Sequence, residues 1–205
     1  MMRDKVIFAG IFALGVGILG ASYLNVMSVN ADTAVPEDHS GPVMVIETAG
    51  EASGTMRIAL RDDLAPNHVE RIVTLAEQGA YDGVVFHRVI EGFMAQTGDV
   101  QHGRPDGNPR MWGTGASDMP NLEAEFNDQS FERGVVGMAR SQSPNSANSQ
   151  FFIMFAPAPH LDGQYTVVGQ LIEGYDVLDA IKRGTGGNGA VIGEPDRMER
   201  VTIER

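Results

Sequence analysis

Residues 86–98 read FHRVIEGFMAQTG, and residues 137–155 read GMARSQSPNSANSQFFIMF. Both are strand-like and mostly apolar, and each sets isolated polar groups among apolar neighbours: Arg88 and Gln96 in the first, Gln150 between Ser149 and Phe151 in the second. An arginine on an apolar strand is costly unless it is paired or faces a cleft. Two readings stand. Arg88 is a surface residue on an edge strand, or its guanidinium is held over an apolar pocket, where it can bind a neutral amide.

On either side the same rhythm of short strands continues. Residues 42–48 form a β-branched run and residues 49–54 a turn. Met56, Ile58 and Leu60 then alternate with Thr55, Arg57, Ala59 and Arg61, a half-buried strand that completes a hairpin. Residues 66–78 change period: Val69, Ile72, Val73 and Ala76 make the stripe of an amphipathic helix, with Pro66 at its start and Gly79 at its end. Strands are expected over 84–90 and 93–97, split by Glu91-Gly92, and again over 134–139, 150–155 and 165–170. Val177, Leu178 and Ile181 mark a second short helix, with Lys182 and Arg183 in its last turn and Gly184 after it. Val201 and Ile203 belong to a final strand. Residues 98–121 form a loop long enough to suggest a function, and residues 140–149 and 186–193 are a polar turn and a glycine-rich loop. Many short strands with two helices predict a mainly β domain, a barrel or a sandwich.

Composition excludes much chemistry. The chain has 205 residues and a net charge of −12, and an acidic surface repels phosphate, so no nucleic-acid partner is expected. With no cysteine there is no disulfide, thiol nucleophile or cysteine-bound metal. The five histidines (His39, His68, His87, His102, His160) show no ligand spacing, so no metal site is expected. No phosphate-binding glycine motif joins a strand to a helix. Ser141, Ser143, Ser146 and Ser149 crowd one segment without the G-x-S-x-G elbow, which reads as a polar turn.

The first residues differ from the rest. Arg3 and Lys5 precede a run from Val6 to Ala31 without a charged side chain, and Val29-Asn30-Ala31 ends it with small residues. This is the layout of a signal peptide over residues 1–31, cleaved near Ala31. The apolar core, residues 6–24, also just reaches the length of a membrane anchor, and a buried helix is the third reading. The first two carry the domain across the inner membrane into the periplasm. Residues 32–41 read as a linker, and residues 42–205 as the domain.

Residues 86–90 (FHRVI) followed by 92–96 (GFMAQ), residues 137–139 (GMA) through 149–153 (SQFFI), and residues 160–163 (HLDG) before 165–169 (YTVVG) resemble the cyclophilin signature in order and spacing. The resemblance covers roughly residues 42–204, and the turn at 140–148 is most similar to bacterial members. It implies a peptidyl-prolyl cis–trans isomerase built as a closed eight-stranded antiparallel barrel with two capping helices. It implies Arg88 as the catalytic arginine, steadied by Gln96. It implies Phe93, Met94, Phe152 and Leu161 as the pocket for the proline ring, with His160 and Tyr165 at its rim and Gln150 as a substrate contact. Ala139 and Arg140 match the segment whose backbone pairs with an extended peptide. No cofactor is implied, and the partners are proline-containing unfolded or flexible polypeptides met by a monomer. The chain departs from the pattern at Glu91, where proline is usual, and at Thr97, where glycine is common. His160 replaces an aromatic Trp or Phe, and Tyr165 replaces histidine; these rim changes imply weak cyclosporin binding. His87 is expected to be structural, pointing away from Arg88 by strand alternation. The alternative function is a non-catalytic module that holds proline segments as a chaperone or adaptor.

Overall fold

A computed structural model describes residues 41–205; the expected leader and nearly all of the linker lie outside the described residues. Nine strands form one antiparallel sheet: β1 (Val43–Ala49), β2 (Gly54–Leu60), β3 (Val84–Val85), β4 (Arg88–Ile90), β5 (Met94–Thr97), β6 (Val135–Met138), β7 (Phe151–Met154), β8 (Val167–Glu173) and β9 (Arg197–Glu204). Two helices accompany them, α1 (Pro66–Glu77) and α2 (Tyr175–Ala180). The strand order is β3-β9-β1-β2-β8-β6-β7-β5-β4.

The mainly β architecture with two helices is as expected; the sheet has nine strands rather than eight, and strand pairing does not close it into the expected barrel. The expected strand over 84–90 breaks at Phe86-His87 into β3 and β4, which lie at opposite ends of the strand order. The sheet therefore curls, and its two end strands are joined by two residues of chain. Register shifts at Glu47/Thr48, Arg57/Ile58 and Val136/Gly137 supply local twist for the curl. Across the seam the Thr97 hydroxyl donates to the Val85 carbonyl at 3.0 Å. Neither end strand is bare: Val85 N–H donates to Gly103 O, Val191 N–H to His87 O, and Gly184 N–H to Val89 O.

Alternation along the strands divides the apolar residues between two cores. Met44, Ile46, Met56, Ile58, Val89, Ala95, Phe151 and Ile153 join the larger one, which helix α1 covers with Val69, Ile72, Leu75 and Ala76. Met94, Phe152 and Met154 turn the other way, into a second core with Phe131, Leu161 and Val167. Strand β7 is thus buried on both faces, which is why Phe151–Met154 is a continuous apolar run.

Helix α1 starts at Pro66 and ends at Glu77; Gln78 caps it and Gly79 follows at φ +66°, where glycine carries no left-handed strain. It has no local side-chain cap. Glu125, far along the chain, accepts the N–H groups of Asn67 (3.2 Å) and His68 (3.0 Å) and faces the buried His68 Nδ1 at 2.6 Å. A carboxylate there also complements the positive end of the helix. Helix α2 is shorter than expected. It stops at Ala180 because the buried Ile181 turns extended (ψ 127°), so Lys182 and Arg183 lie beyond the helix rather than in its last turn. Lys182 N–H instead binds the buried carboxylate of Asp196 at 2.7 Å.

Candidate active site

The register places the site. Arg88 is paired with Gln96, Ile90 with Met94, Gln96 with Phe152 and Met94 with Met154. These residues share one face of the sheet, above the second core. There they wall a cavity of about 160 Å³, lined by Arg88, Phe93, Met94, Gln96, Ala139, Arg140, Phe152, Leu161 and Tyr165. Every one of these was expected from the sequence. The other two expected residues stand just behind: His160 stacks on Phe93 at 5.7 Å, and Gln150 supports Gln96.

The apolar floor is packed ring on ring. Phe152 stacks on Phe131 (5.7 Å) and meets Tyr165 edge-on (5.8 Å). Gly137 makes this possible: a Cβ there would lie 2.6 Å from both phenylalanine rings. The Arg140 side chain, expected to matter only through its backbone, lies over the Tyr165 ring at 4.4 Å.

Arg88 is fixed on every nitrogen by neutral groups. Its Nη1 donates to Gln96 Oε1 (3.1 Å) and approaches Met94 Sδ (3.9 Å). Its Nε donates to Asn188 O and its Nη2 to Asn188 Oδ1, both at 3.0 Å. Of its five N–H groups these bonds leave donor capacity on the terminal nitrogens, at the cavity edge. Partial burial pushes the Arg88 pKa down from its ordinary value, with Tyr165 opposing, and the group stays charged at neutral pH. Behind it, Gln96 Nε2 donates to Gln150 Oε1 (3.0 Å), and Gln150 Nε2 donates to Gly113 O (3.1 Å) and Gly115 O (2.8 Å). Gln150 therefore stands in a relay from the long loop to the arginine.

That loop hangs on one buried carboxylate. Asp99 Oδ1 accepts from Gln101 and His102 N–H, and Oδ2 from Gly113 and Gly115 N–H. Asn188 and Asp99 were not anticipated. The only local sign of Asn188 was an Asn-Gly pair in a glycine-rich loop, and it is the sole described non-glycine with positive φ (55°). Asn188→Gly keeps that backbone and its carbonyl but removes the Oδ1 bond. It is expected to lower kcat/KM for X–Pro isomerisation about threefold to tenfold without loss of stability. Steady-state kinetics and urea unfolding check both parts.

His87 does not simply face away from Arg88. Because the strand breaks at this residue, both line a second cavity of about 190 Å³ with Trp112, Gly113 and Asn188. The ring is 6% exposed and neither nitrogen is hydrogen-bonded. Burial pushes its pKa down to about 4, with Asp99 and nearby acceptors offsetting only part. Above the ordinary histidine value both folded and unfolded chains hold the ring neutral. As pH falls below it, only the unfolded chain takes up the proton, so stability drops by about 3 kcal/mol on reaching pH 4. Urea unfolding across this range is expected to show a shallower loss for His87→Gln; an unchanged slope would contradict it.

The sequence profile of the cyclophilin type peptidyl-prolyl cis-trans isomerases matches residues 43–203. A probable peptidyl-prolyl cis-trans isomerase of Brucella suis biovar 1 (strain 1330) is 54% identical over 153 residues, covering 74% of this chain and 78% of the relative. A peptidyl-prolyl cis-trans isomerase of Arabidopsis thaliana is 38% identical over 150 residues, covering 73% and 90%. The crystal structure of a cyclophilin from Hirschia baltica superposes with a TM-score of 0.63 at 26% identity, covering 78% of this chain and 73% of that one. One from Cryptosporidium parvum gives 0.67 at 25% identity, covering 80% and 97%. With its register, its arginine-edged apolar cavity and these matches, the chain belongs to the cyclophilin-type peptidyl-prolyl cis-trans isomerases.

Proposed function

We propose that the protein accelerates rotation about X–Pro bonds in exported polypeptides, with Arg88 as the catalytic residue. The peptide C–N bond is partly double, and its rotation barrier is about 18–20 kcal/mol. At the twisted transition state conjugation is lost and the prolyl nitrogen becomes pyramidal, with a free lone pair. A donor aimed at that nitrogen favours the twisted state over either planar one. A proline ring seated among Phe93, Met94, Phe152 and Leu161 would be held while the chain on the other side of the bond turns. The supporting observation is the set of neutral partners on Arg88: Gln96 and Asn188 fix its direction without cancelling its charge. The reaction calls for no nucleophile, general base or cofactor.

Ala139 and Arg140 belong to the peptide-pairing edge in this reading, Gln96 is a positioning residue, and Gln150 supports it from behind. His160 and Tyr165 form the rim. The apolar run at residues 6–24 supports a site of action beyond the inner membrane, as a soluble periplasmic product or an anchored one. Amino-terminal sequencing of the exported protein distinguishes a start at Asp32 from an intact Met1. The test of function is isomerisation of a proline peptide measured beside its binding. Acceleration supports the enzyme; binding without acceleration would replace it with an adaptor.

A further inference from the structure

The described residues include thirteen Lys or Arg. Seven form ion pairs: Arg57, Arg61, Arg133, Lys182, Arg183, Arg197 and Arg205. The other six do not, and both cations at the groove are among them. Arg88 is held by Gln96 and Asn188, as described, and Arg140 by main-chain carbonyls alone. Arg140 Nε and Nη2 donate to Gln164 O at 3.2 and 3.0 Å, and Nη1 donates to Ser141 O and Gln142 O at 3.0 and 3.4 Å. These bonds fix the guanidinium over Tyr165 and leave its charge uncompensated.

The walls repeat the pattern. The proline-sized cavity adjoins a larger one of about 340 Å³, sharing Gln96, Ala139 and Arg140 with it. On the other side, Arg88 and Gln96 also border the cavity beside Asn188. Not one Asp or Glu lines any of the three, in a chain that carries 27 of them. An acidic protein thus presents a groove whose own fixed charges are positive. Like charges set against a partner suppress it, and opposite charges favour it.

We infer that the groove selects proline segments bearing an acidic side chain within two residues of the proline, and that Arg140 is the residue that reads it. The inference rests on the isomerase reading and adds a substrate class to it. Arg140 is half-buried and already ordered, so pairing with a carboxylate costs little side-chain entropy.

The test uses the purified full chain and three peptides that differ only in Glu, Gln or Lys two residues before the proline, with a second set two residues after it. At low salt, kcat/KM is expected to fall in the order Glu, Gln, Lys in at least one set, by about fivefold from first to last. In 1 M salt, where the screening length is about 3 Å, the spread narrows. Arg140→Gln brings it below about twofold, and Arg140→Lys keeps most of it. Equal rates for all peptides, or a spread that survives Arg140→Gln, would overturn the selection while leaving the isomerase intact. If no peptide turns over faster than in buffer, the isomerase reading itself falls.

Discussion

Replacing Arg88 with alanine is expected to lower kcat/KM for X–Pro isomerisation by about 100- to 1,000-fold, the range seen when one preorganised donor to a transition state is removed. Binding of a proline peptide should change far less, because Phe93, Met94, Phe152 and Leu161, which would hold the ring, are untouched. The fold should persist as well: Arg88 is half-exposed, on a three-residue strand, and its partners Gln96 and Asn188 reach solvent when it is gone. Arg88→Lys is the sharper control. It keeps the charge but loses the planar fork that Gln96 and Asn188 clamp, so activity should stay well below that of the intact enzyme. Coupled isomerisation assays, peptide titration and circular dichroism separate these effects. A variant with alanine at position 88 that retained most of its rate would remove the arginine from the chemistry.

Asp99→Ala should be the most destabilising change near the site, by about 3–4 kcal/mol, because four backbone N–H groups lose a charged acceptor at once. The same change should lower kcat/KM about tenfold, through the loss of precise positioning when Gly113 and Gly115 no longer present their carbonyls to Gln150. Asp99→Asn should be nearly as harmful. Each carboxylate oxygen takes two N–H groups, so whichever position becomes NH₂ meets donors with a donor. Denaturant unfolding and kinetics on both variants check this. An asparagine variant as stable as the parent would mean that the loop is held by something else.

Arg88, Gln96 and Gln150 were legible as polar exceptions among apolar neighbours, whereas Phe93, Met94, Ala139, Arg140, Phe152, Leu161 and Tyr165 were implied only by the resemblance to the cyclophilin signature. Arg88 and Gln96 lie eight residues apart on hairpin strands, and the register pairs them directly. Asn188 was not legible. It meets Arg88 from a hundred residues away, through a loop whose composition says only that it turns. Asp99 was equally silent, since one acid in a polar loop carries no periodicity. Glu125 capping helix α1 is the same kind of event: a backbone donor finds its partner far along the chain. The end of helix α2 was misplaced because the buried Ile181 turns extended there, which takes Lys182 out of the helix. The resemblance implied a closed eight-stranded barrel, whereas the sheet counts nine strands because the expected strand over 84–90 breaks at Phe86-His87 into its two end strands.

Those covered sheet ends bear on the company this protein would keep. Unfolded chains carry sticky β-prone segments, and an unprotected edge strand is a template on which they can polymerise. Here Gly103 occupies the outer edge of β3, and the chain from Gly184 to Val191 occupies that of β4, directly beside Arg88. An extended client arriving at the arginine finds no free strand there to join. On the proposed function it would lodge in the groove and leave again rather than extend the sheet at these two edges.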